Sequence, residues 1–204
     1  MMRTLIFVRH GHTESSDAGR YLGRTDMDLS AQGVRQAEHL AAWIANMRVD
    51  AILTSPTLRA RRTAEIVGSR AALAPTVDER LRELDFGLAE GLTLSELRAT
   101  HPEATAAFES DPVAHHFPGG EHPAAAVERL HDATEDVLHH PWRRTLLVTH
   151  NTLIRLFICE VLGIPLSAYR RRLPIAEHCA LTELVADDDG LALRRFNAVV
   201  PGNA

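Results

Sequence analysis

The sequence predicts an α/β fold, a three-layer sandwich with a mostly parallel central sheet and helices on both faces. Strand-like runs at residues 4–8, 49–54 and 144–149 have the length and apolar content of buried strands. Segments with helical periodicity separate them, and this alternation is typical of parallel strands joined by helices. The 204 residues are 45% hydrophobic, enough for one substantial core, so we expect a single domain over residues 1–204.

The predicted helices of the first half have recognisable ends. Ser30 is an N-cap before apolar residues spaced three and four apart. Pro56 marks a turn after the second strand, and a helix with basic residues follows it. Thr93 and Glu96 form a capping box that opens a helix ending before Pro102.

The second half of the chain continues the alternation. Amphipathic helices are predicted over about residues 124–140 and 152–162, each followed by a helix-ending proline or glycine. Residues 180–185 and 191–196, joined through Asp189-Gly190, predict a closing hairpin.

The segment over about residues 93–123 departs from this alternation. It contains helical patterns and then a loop rich in proline, glycine and histidine. Binding residues concentrate on loops held by a rigid scaffold, so we expect a small insertion over the site that acts as a substrate lid. A spacer without substrate contacts is the alternative.

Two of the predicted strands end in histidine. Arg9, His10 and Gly11 follow the first strand, and His150 and Asn151 follow the third. Ligands bind beyond the carboxyl ends of strands in open α/β sheets, so both imidazoles should reach one rim. The arginine fork matches a phosphate, histidine is a nucleophile near neutral pH, and glycine lets the backbone approach a ligand.

Six motifs follow one another between Leu5 and Asn197. They are Arg9-His10-Gly11-x-Thr13, Gly23-x-x-Asp26-x-x-Leu29-Ser30-x-x-Gly33-x-x-Gln36-Ala37, Ser55-Pro56-x-x-Arg59-Ala60-x-x-Thr63-Ala64, Leu81-x-Glu83-x-x-x-Gly87-x-x-Glu90-Gly91, Pro118-Gly119-Gly120-Glu121 and Val148-Thr149-His150. With these motifs in this order, the chain resembles the histidine phosphatase superfamily, the group that includes the cofactor-dependent phosphoglycerate mutases.

The resemblance implies a metal-independent phosphomonoester hydrolase that needs no cofactor and acts on a small phosphorylated metabolite. It implies that His10 is a nucleophile that becomes a phosphohistidine, which water then attacks. Arg9, Arg59 and His150 would hold the phosphoryl oxygens, and His150 would also belong to the catalytic set. Glu83 would be the general acid and then the base, for which its pKa must be raised by burial or a nearby anion.

Further candidates surround this set. Ser16, Gly23 and Asn151 are candidate phosphate-binding residues, and backbone amides near Gly11 and Asn151 offer additional donors. Asp85 is the alternative to Glu83 as the acid. Arg20 and Arg24 either contact a second anion of the substrate or are ordinary surface charges.

Two departures from the family's pattern bear on the reaction. His12 stands where family members often have glutamate, and Ser15-Ser16 stands where mutases commonly have Trp-Asn. The shorter Ser16 favours hydrolysis over a mutase-type isomerisation, which stays an alternative together with a non-catalytic phosphate-binding module. The stretch Tyr21-Leu22-Gly23-Arg24-Thr25-Asp26 is similar to α-ribazole phosphatases, a branch that also resembles broad-specificity phosphatases.

The histidines also allow a metal hypothesis. His10, His12 and His150 could be three ligands of a catalytic zinc. Against this, Arg9 would repel a cation, and no carboxylate-rich cluster joins the set. We therefore expect no metal site.

Composition excludes several other classes. The net charge of −5 argues against nucleic-acid binding. The sequence contains no lysine, which rules out Schiff-base chemistry and a lysine-bearing phosphate loop. No run of about 18 apolar residues or signal-peptide pattern is present, and two cysteines give no disulfide framework. We expect a cytoplasmic protein without membrane contact; the sequence does not determine its oligomeric state.

Overall fold

A computed structural model describes residues 2–188 and 190–203. The strands are β1 (Arg3–Arg9), β2 (Ala51–Thr54), β3 (Thr76–Val77), β4 (Arg144–Thr149), β5 (Leu181–Asp187) and β6 (Gly190–Ala198). The α-helices are α1 (Ala31–Ile44), α2 (Leu58–Ala71), α3 (Leu94–Thr100), α4 (Pro102–Ser110), α5 (Pro123–His139), α6 (Asn151–Val161) and α7 (Tyr169–Arg172). No helix in these residues is long and apolar enough to cross a bilayer.

The six strands form one mixed sheet in the order β3-β2-β4-β1-β5-β6. The first four strands in this order are parallel, and β5 and β6 are antiparallel at one edge. Val8 pairs with Val148 and Arg9 with Thr149, so β1 and β4 end at the same level. This register brings His10 and His150 to one rim, and the predicted fold class is confirmed.

Helices cover both faces because β1 alternates between two cores. Leu5 and Phe7 belong to one apolar cluster, which includes buried residues of α5 and α6. Ile6 and Val8 point to the other cluster, which includes buried residues of α1 and α2. Strands buried on both faces are apolar without interruption, as this run is.

Most element boundaries follow the predicted local causes. The Ser30 side chain accepts the Gly33 N–H, and Thr93 and Glu96 form the predicted capping box. Pro102 both follows α3 and begins α4, since a proline lacks only a donor that is unused in a first turn. The predicted hairpin is present as β5 and β6; Asp189 of its turn lies outside the described residues.

One strand boundary and one additional strand differ from the sequence prediction. The second strand begins at Ala51 rather than residue 49, and the side chain of Asp50 just before it accepts the amides of Arg143 and Arg144. The two-residue strand β3 is exposed and too short to leave a periodic pattern.

Candidate active site

A cavity of about 270 Å³ opens at the carboxyl edge of the sheet. Its wall contains the five residues that the family resemblance singled out: Arg9, His10, Arg59, Glu83 and His150. They come from four places in the chain: Arg9 and His10 from the end of β1, Arg59 from the first turn of α2, Glu83 from the loop before α3, and His150 from the end of β4. The parallel sheet brings these segments together.

His10 is buried at the end of β1 in one defined orientation. Its Nδ1 lies 2.8 Å from the carbonyl oxygen of Gly11 and donates to it. That bond leaves Nε2 without a proton, and the Arg59 Nε–H donates to Nε2 over 3.3 Å. Burial, followed by the charges of His150 and Arg59, holds the pKa of His10 well below its usual value. The ring is therefore neutral near pH 7, with a lone pair on Nε2.

Arg59 is fully buried on the first turn of α2, although it is charged. Nη1 donates to the carbonyl of Thr25 over 2.8 Å, and Nη2 donates to that of Leu22 over 2.9 Å. The guanidinium therefore holds the loop before α1 in place and also donates a hydrogen bond to the lone pair on His10 Nε2. Nη2 also donates to the Gly23 carbonyl over 3.5 Å, so one of the five N–H donors, on Nη1, is left for a ligand.

His150 lies beside His10, with ring centroids 5.1 Å apart. Its Nε2 is 2.8 Å from Ser55 Oγ, and its buried Nδ1 has no partner in the described residues. Ser55 Oγ accepts the Thr57 N–H, so its own proton is available for Nε2. In this arrangement His150 carries its proton on Nδ1, the nitrogen left for a ligand. Burial, and then the Arg59 charge, lower the pKa of His150.

Arg9 also keeps donors for a ligand. Nη1 donates to the carbonyl of Ala176 over 2.9 Å, whereas the buried Nε has no partner in the described residues. Burial lowers the pKa of Arg9 to about 10, so the side chain stays cationic at neutral pH.

Glu83 lies at the N-terminus of α6, where backbone N–H groups are free. Its Oε2 accepts the Thr152 N–H over 2.9 Å, and Oε1 accepts those of Leu153 and Leu84 over 3.1 Å each. Burial raises the pKa of Glu83, and these three bonds together with Arg59 act in the opposite direction. Asp85, the alternative acid, instead pairs with Arg24.

The other predicted phosphate-binding residues have different environments. Ser16 and Asn151 line the cavity, although Ser16 Oγ accepts the Thr13 N–H and Asn151 Oδ1 accepts that of Ala176. Gly23 is not part of the cavity wall. Its N–H donates to Glu90, and a Cβ there would lie 1.9 Å from the Leu84 carbonyl oxygen.

The Gly11 amide does not add a donor either. It donates to Thr63 Oγ1 over 3.0 Å, and a Cβ on Gly11 would meet the Gly33 carbonyl oxygen at 2.6 Å. Gly11 therefore lacks a side chain because α1 packs closely against it, and not because a ligand does.

The three histidines of the zinc hypothesis do not converge. His12 Nδ1 contacts Ser30 Oγ and Nε2 contacts Asp17, so both of its nitrogens are occupied away from His10 and His150. No group of three histidine, cysteine or acidic residues with metal-binding geometry occurs in residues 2–188 and 190–203.

Sequence reasoning missed three side chains of the site. The His178 ring contacts the His10 ring in a tilted arrangement with centroids 5.5 Å apart, and its Nδ1 donates to the His10 carbonyl. Arg155 and Arg170 line the cavity. Arg155 appears in the sequence only as one polar position in an apolar helix, and this interruption was the available signal.

The insertion at residues 93–123, all of them described, contributes no residue to the cavity wall. Its Phe108 and Phe117 pack against Tyr21, which does line the cavity, and residues 13–22 form the wall expected of the lid. The insertion therefore supports the wall from behind, because its aromatic side chains are buried there.

A comparison with protein families matches residues 5–199 to the histidine phosphatase superfamily (branch 1). This chain belongs to that superfamily. Phosphoserine phosphatase 1 of Hydrogenobacter thermophilus is 32% identical over 82% of this chain and 80% of that protein. The protein described as probable phosphoglycerate mutase GpmB of Klebsiella pneumoniae is also 32% identical, over 83% and 80%.

A solved structure supports the same family at the level of the fold. The α-ribazole phosphatase of Shigella flexneri superposes with a TM-score of 0.84 at 26% identity, covering 98% of each chain. Membership of the superfamily and relatives that are phosphatases identify this histidine phosphatase as an enzyme of phosphate-ester hydrolysis.

Proposed function

We propose that this histidine phosphatase hydrolyses a small phosphomonoester without a metal, through a phosphohistidine formed on His10 Nε2. The observation that carries the proposal is the orientation of the His10 ring. Nδ1–H donates to the Gly11 carbonyl, so Nε2 has its lone pair directed at the Arg59 donor inside the cavity.

The charges around Nε2 suit a phosphate ester. Arg9 and Arg59 are cations whose unused donors match phosphoryl oxygens, and His150 Nδ1 offers a third donor. At an effective dielectric constant near 20, each close pair of unit charges contributes about 4 kcal/mol. A phosphoryl oxygen would take over the Arg59 Nε–H, which releases the His10 lone pair for attack.

The reaction then has two balanced steps. His10 Nε2 forms a bond to phosphorus while the bond from phosphorus to the alcohol oxygen breaks, and Glu83 gives its proton to that oxygen. The Gly11 carbonyl stabilises the positive ring through Nδ1–H. Water next attacks phosphorus, Glu83 takes a proton from the water, and free phosphate leaves with His10 restored.

Glu83 Oε2 is the oxygen best placed to carry that proton. A carboxyl group has about four lone-pair sites, and backbone N–H groups occupy two on Oε1 and one on Oε2. The remaining lone-pair site on Oε2 is free. The raised pKa of the Glu83 carboxyl favours its protonated form before the first step.

Base-stable, acid-labile labelling tests this proposal. Chelator-treated protein is mixed with a radioactive phosphomonoester and quenched in base, and the label is located by peptide mapping. We expect label on His10 while free phosphate accumulates, no label or turnover in His10→Ala, and normal labelling in His131→Ala, a change at an exposed histidine.

The other outcomes separate the alternatives. Turnover without label would refute the phosphohistidine. An isomerised ester without free phosphate would support a mutase. Bound phosphate without turnover across a broad ester panel would support a non-catalytic binding module.

A further inference from the structure

A buried arginine in the cavity wall has no acidic partner. Arg155 lies on α6, is 5% exposed, and rests on Tyr169 with its Cζ 4.8 Å from the ring centroid. Its Nε donates to the carbonyl of Leu173, which fixes the plane of the guanidinium. Neither Nη atom has a hydrogen-bond partner, and no carboxylate forms an ion pair with it, within residues 2–188 and 190–203.

Arg170 extends the positive wall beyond Arg155. Its Nη1 donates to the Tyr21 hydroxyl over 3.2 Å, and its Cζ lies 5.2 Å from the centroid of Phe108. Burial lowers the pKa of Arg155 and the Arg170 charge lowers it further, whereas the charge of Glu83, which makes no ion pair with Arg155, acts in the opposite direction. The Arg155 charge in turn contributes to the lowered pKa of Arg9. Arg9, Arg155 and Arg170 all line the same cavity.

The two arginines suggested by the sequence for a second anion are engaged elsewhere. Arg20 pairs with Glu96 at 2.8 Å, and Arg24 pairs with Asp85 at 3.1 Å. Buried charges are almost always paired, because leaving water without compensation costs several kcal/mol per ion. The unpaired fork of Arg155 therefore indicates a ligand anion at this position.

We propose that the substrate is a phosphomonoester that also bears a carboxylate, and that the Arg155 fork binds this carboxylate with Arg170 beside it. The inference rests on the proposed function. With Glu83 protonated, Arg9 and Arg59 already match the charge of a phosphate dianion, which leaves the buried Arg155 for one further negative charge. Two parallel N–H donors also match the two oxygens of a carboxylate in one plane.

Three esters test the inference on the wild-type enzyme. 3-Phosphoglycerate and hydroxyethyl phosphate differ only by the carboxylate, and glycerol 1,3-bisphosphate carries a phosphate ester in its place. Hydrogen bonds to charged groups contribute roughly 1.5–3 kcal/mol, so kcat/KM should be about 10- to 100-fold higher for 3-phosphoglycerate than for hydroxyethyl phosphate.

Variants locate the effect. In Arg155→Gln the ratio of the two kcat/KM values should fall to about one, since the neutral amide cannot replace the ionic contact. Arg171→Gln removes a charge from the same short helix but at an exposed position, and the wild-type ratio should persist. Arg170→Gln, at a partly buried site, should lower the ratio by less, and it provides a test if Arg155→Gln does not fold.

The outcomes distinguish this inference from the proposed function. Equal kcat/KM values for 3-phosphoglycerate and hydroxyethyl phosphate in the wild type would overturn the carboxylate site. A preference for the bisphosphate would overturn the choice of carboxylate. If either of these results came with label on His10, the proposed function would still stand. If no ester were hydrolysed, both the proposed function and the carboxylate site would be overturned.

Discussion

Replacing Glu83 by glutamine tests the role of a single proton. The two side chains have nearly the same shape, but an amide cannot give a proton to a leaving alcohol. Positioned general acids contribute roughly 10²- to 10⁴-fold to a rate. We expect Glu83→Gln to lower kcat/KM by about that factor for alkyl phosphates, whose alkoxide leaves poorly without a proton. For p-nitrophenyl phosphate the loss should be far smaller, because the phenolate leaves unassisted.

The structure also gives a stability cost for this variant. If the amide oxygen takes the place of Oε1, it accepts the N–H groups of Leu84 and Leu153, and the amide nitrogen then faces the Thr152 N–H. Two donors facing each other leave the Thr152 N–H unsatisfied, which costs about 1–3 kcal/mol in a buried site. Urea denaturation should show a loss of this size.

The assay compares kcat/KM, which contains only the steps up to the departure of the alcohol. Slower hydrolysis of the phosphohistidine therefore does not enter the comparison. Asp85→Asn is the matched control, since Asp85 pairs with Arg24 and accepts the Gly87 N–H instead of capping α6. Equal losses for alkyl and nitrophenyl esters in Glu83→Gln, or a larger loss in Asp85→Asn, would refute the reasoning.

Three further results are expected. Ser55→Ala removes the hydrogen-bond partner of His150 Nε2 and should lower kcat/KM roughly tenfold. NMR titration of the His150 ring would show whether its tautomer changes with this loss. An unchanged kcat/KM would contradict a role of Ser55 in orienting His150. Burial lowers the pKa of His178 to about 3 in the folded protein, against about 6.5 in the unfolded chain. Below about pH 6.5 the unfolded state therefore binds a proton that the folded state does not, and the free energy of unfolding falls as the pH falls. Urea titrations should show about 2 kcal/mol of this loss between pH 6.5 and 5, reduced in His178→Asn but not in His131→Asn. Vanadate should inhibit turnover and chelators should not; activity lost with chelator and restored by zinc would contradict the metal-independent proposal.

The rim of the site could be predicted from the chain because it depends on local pattern. Uninterrupted apolar runs fix β1 and β4 as buried strands, and parallel strands present their carboxyl ends at the same edge. His10 and His150 follow directly from that, and their rings are 5.1 Å apart. The resemblance to the family, carried by the motifs, singled out Arg59 and Glu83, and both line the cavity.

The motifs were less informative about glycines. Gly23 belongs to a motif of the family, and its position suggested phosphate binding. In the structure its lack of a Cβ is required by the Leu84 carbonyl, and Glu90 holds its amide. A glycine in a motif marks close packing, and the sequence does not say whether the neighbour is a ligand or the protein itself.

By itself, the sequence determined the fold class, the family and the chemical types that meet at the rim, because periodicity and ordered motifs are properties of the chain. Only the tertiary structure decided which atoms face one another. It assigned the Gly11 carbonyl to His10 Nδ1, placed Glu83 on the N-terminus of α6, and left the Arg155 fork unpaired. Hydrogen bonds and charge pairs depend on direction and burial over a few ångströms, and these are set by packing between segments far apart in the chain.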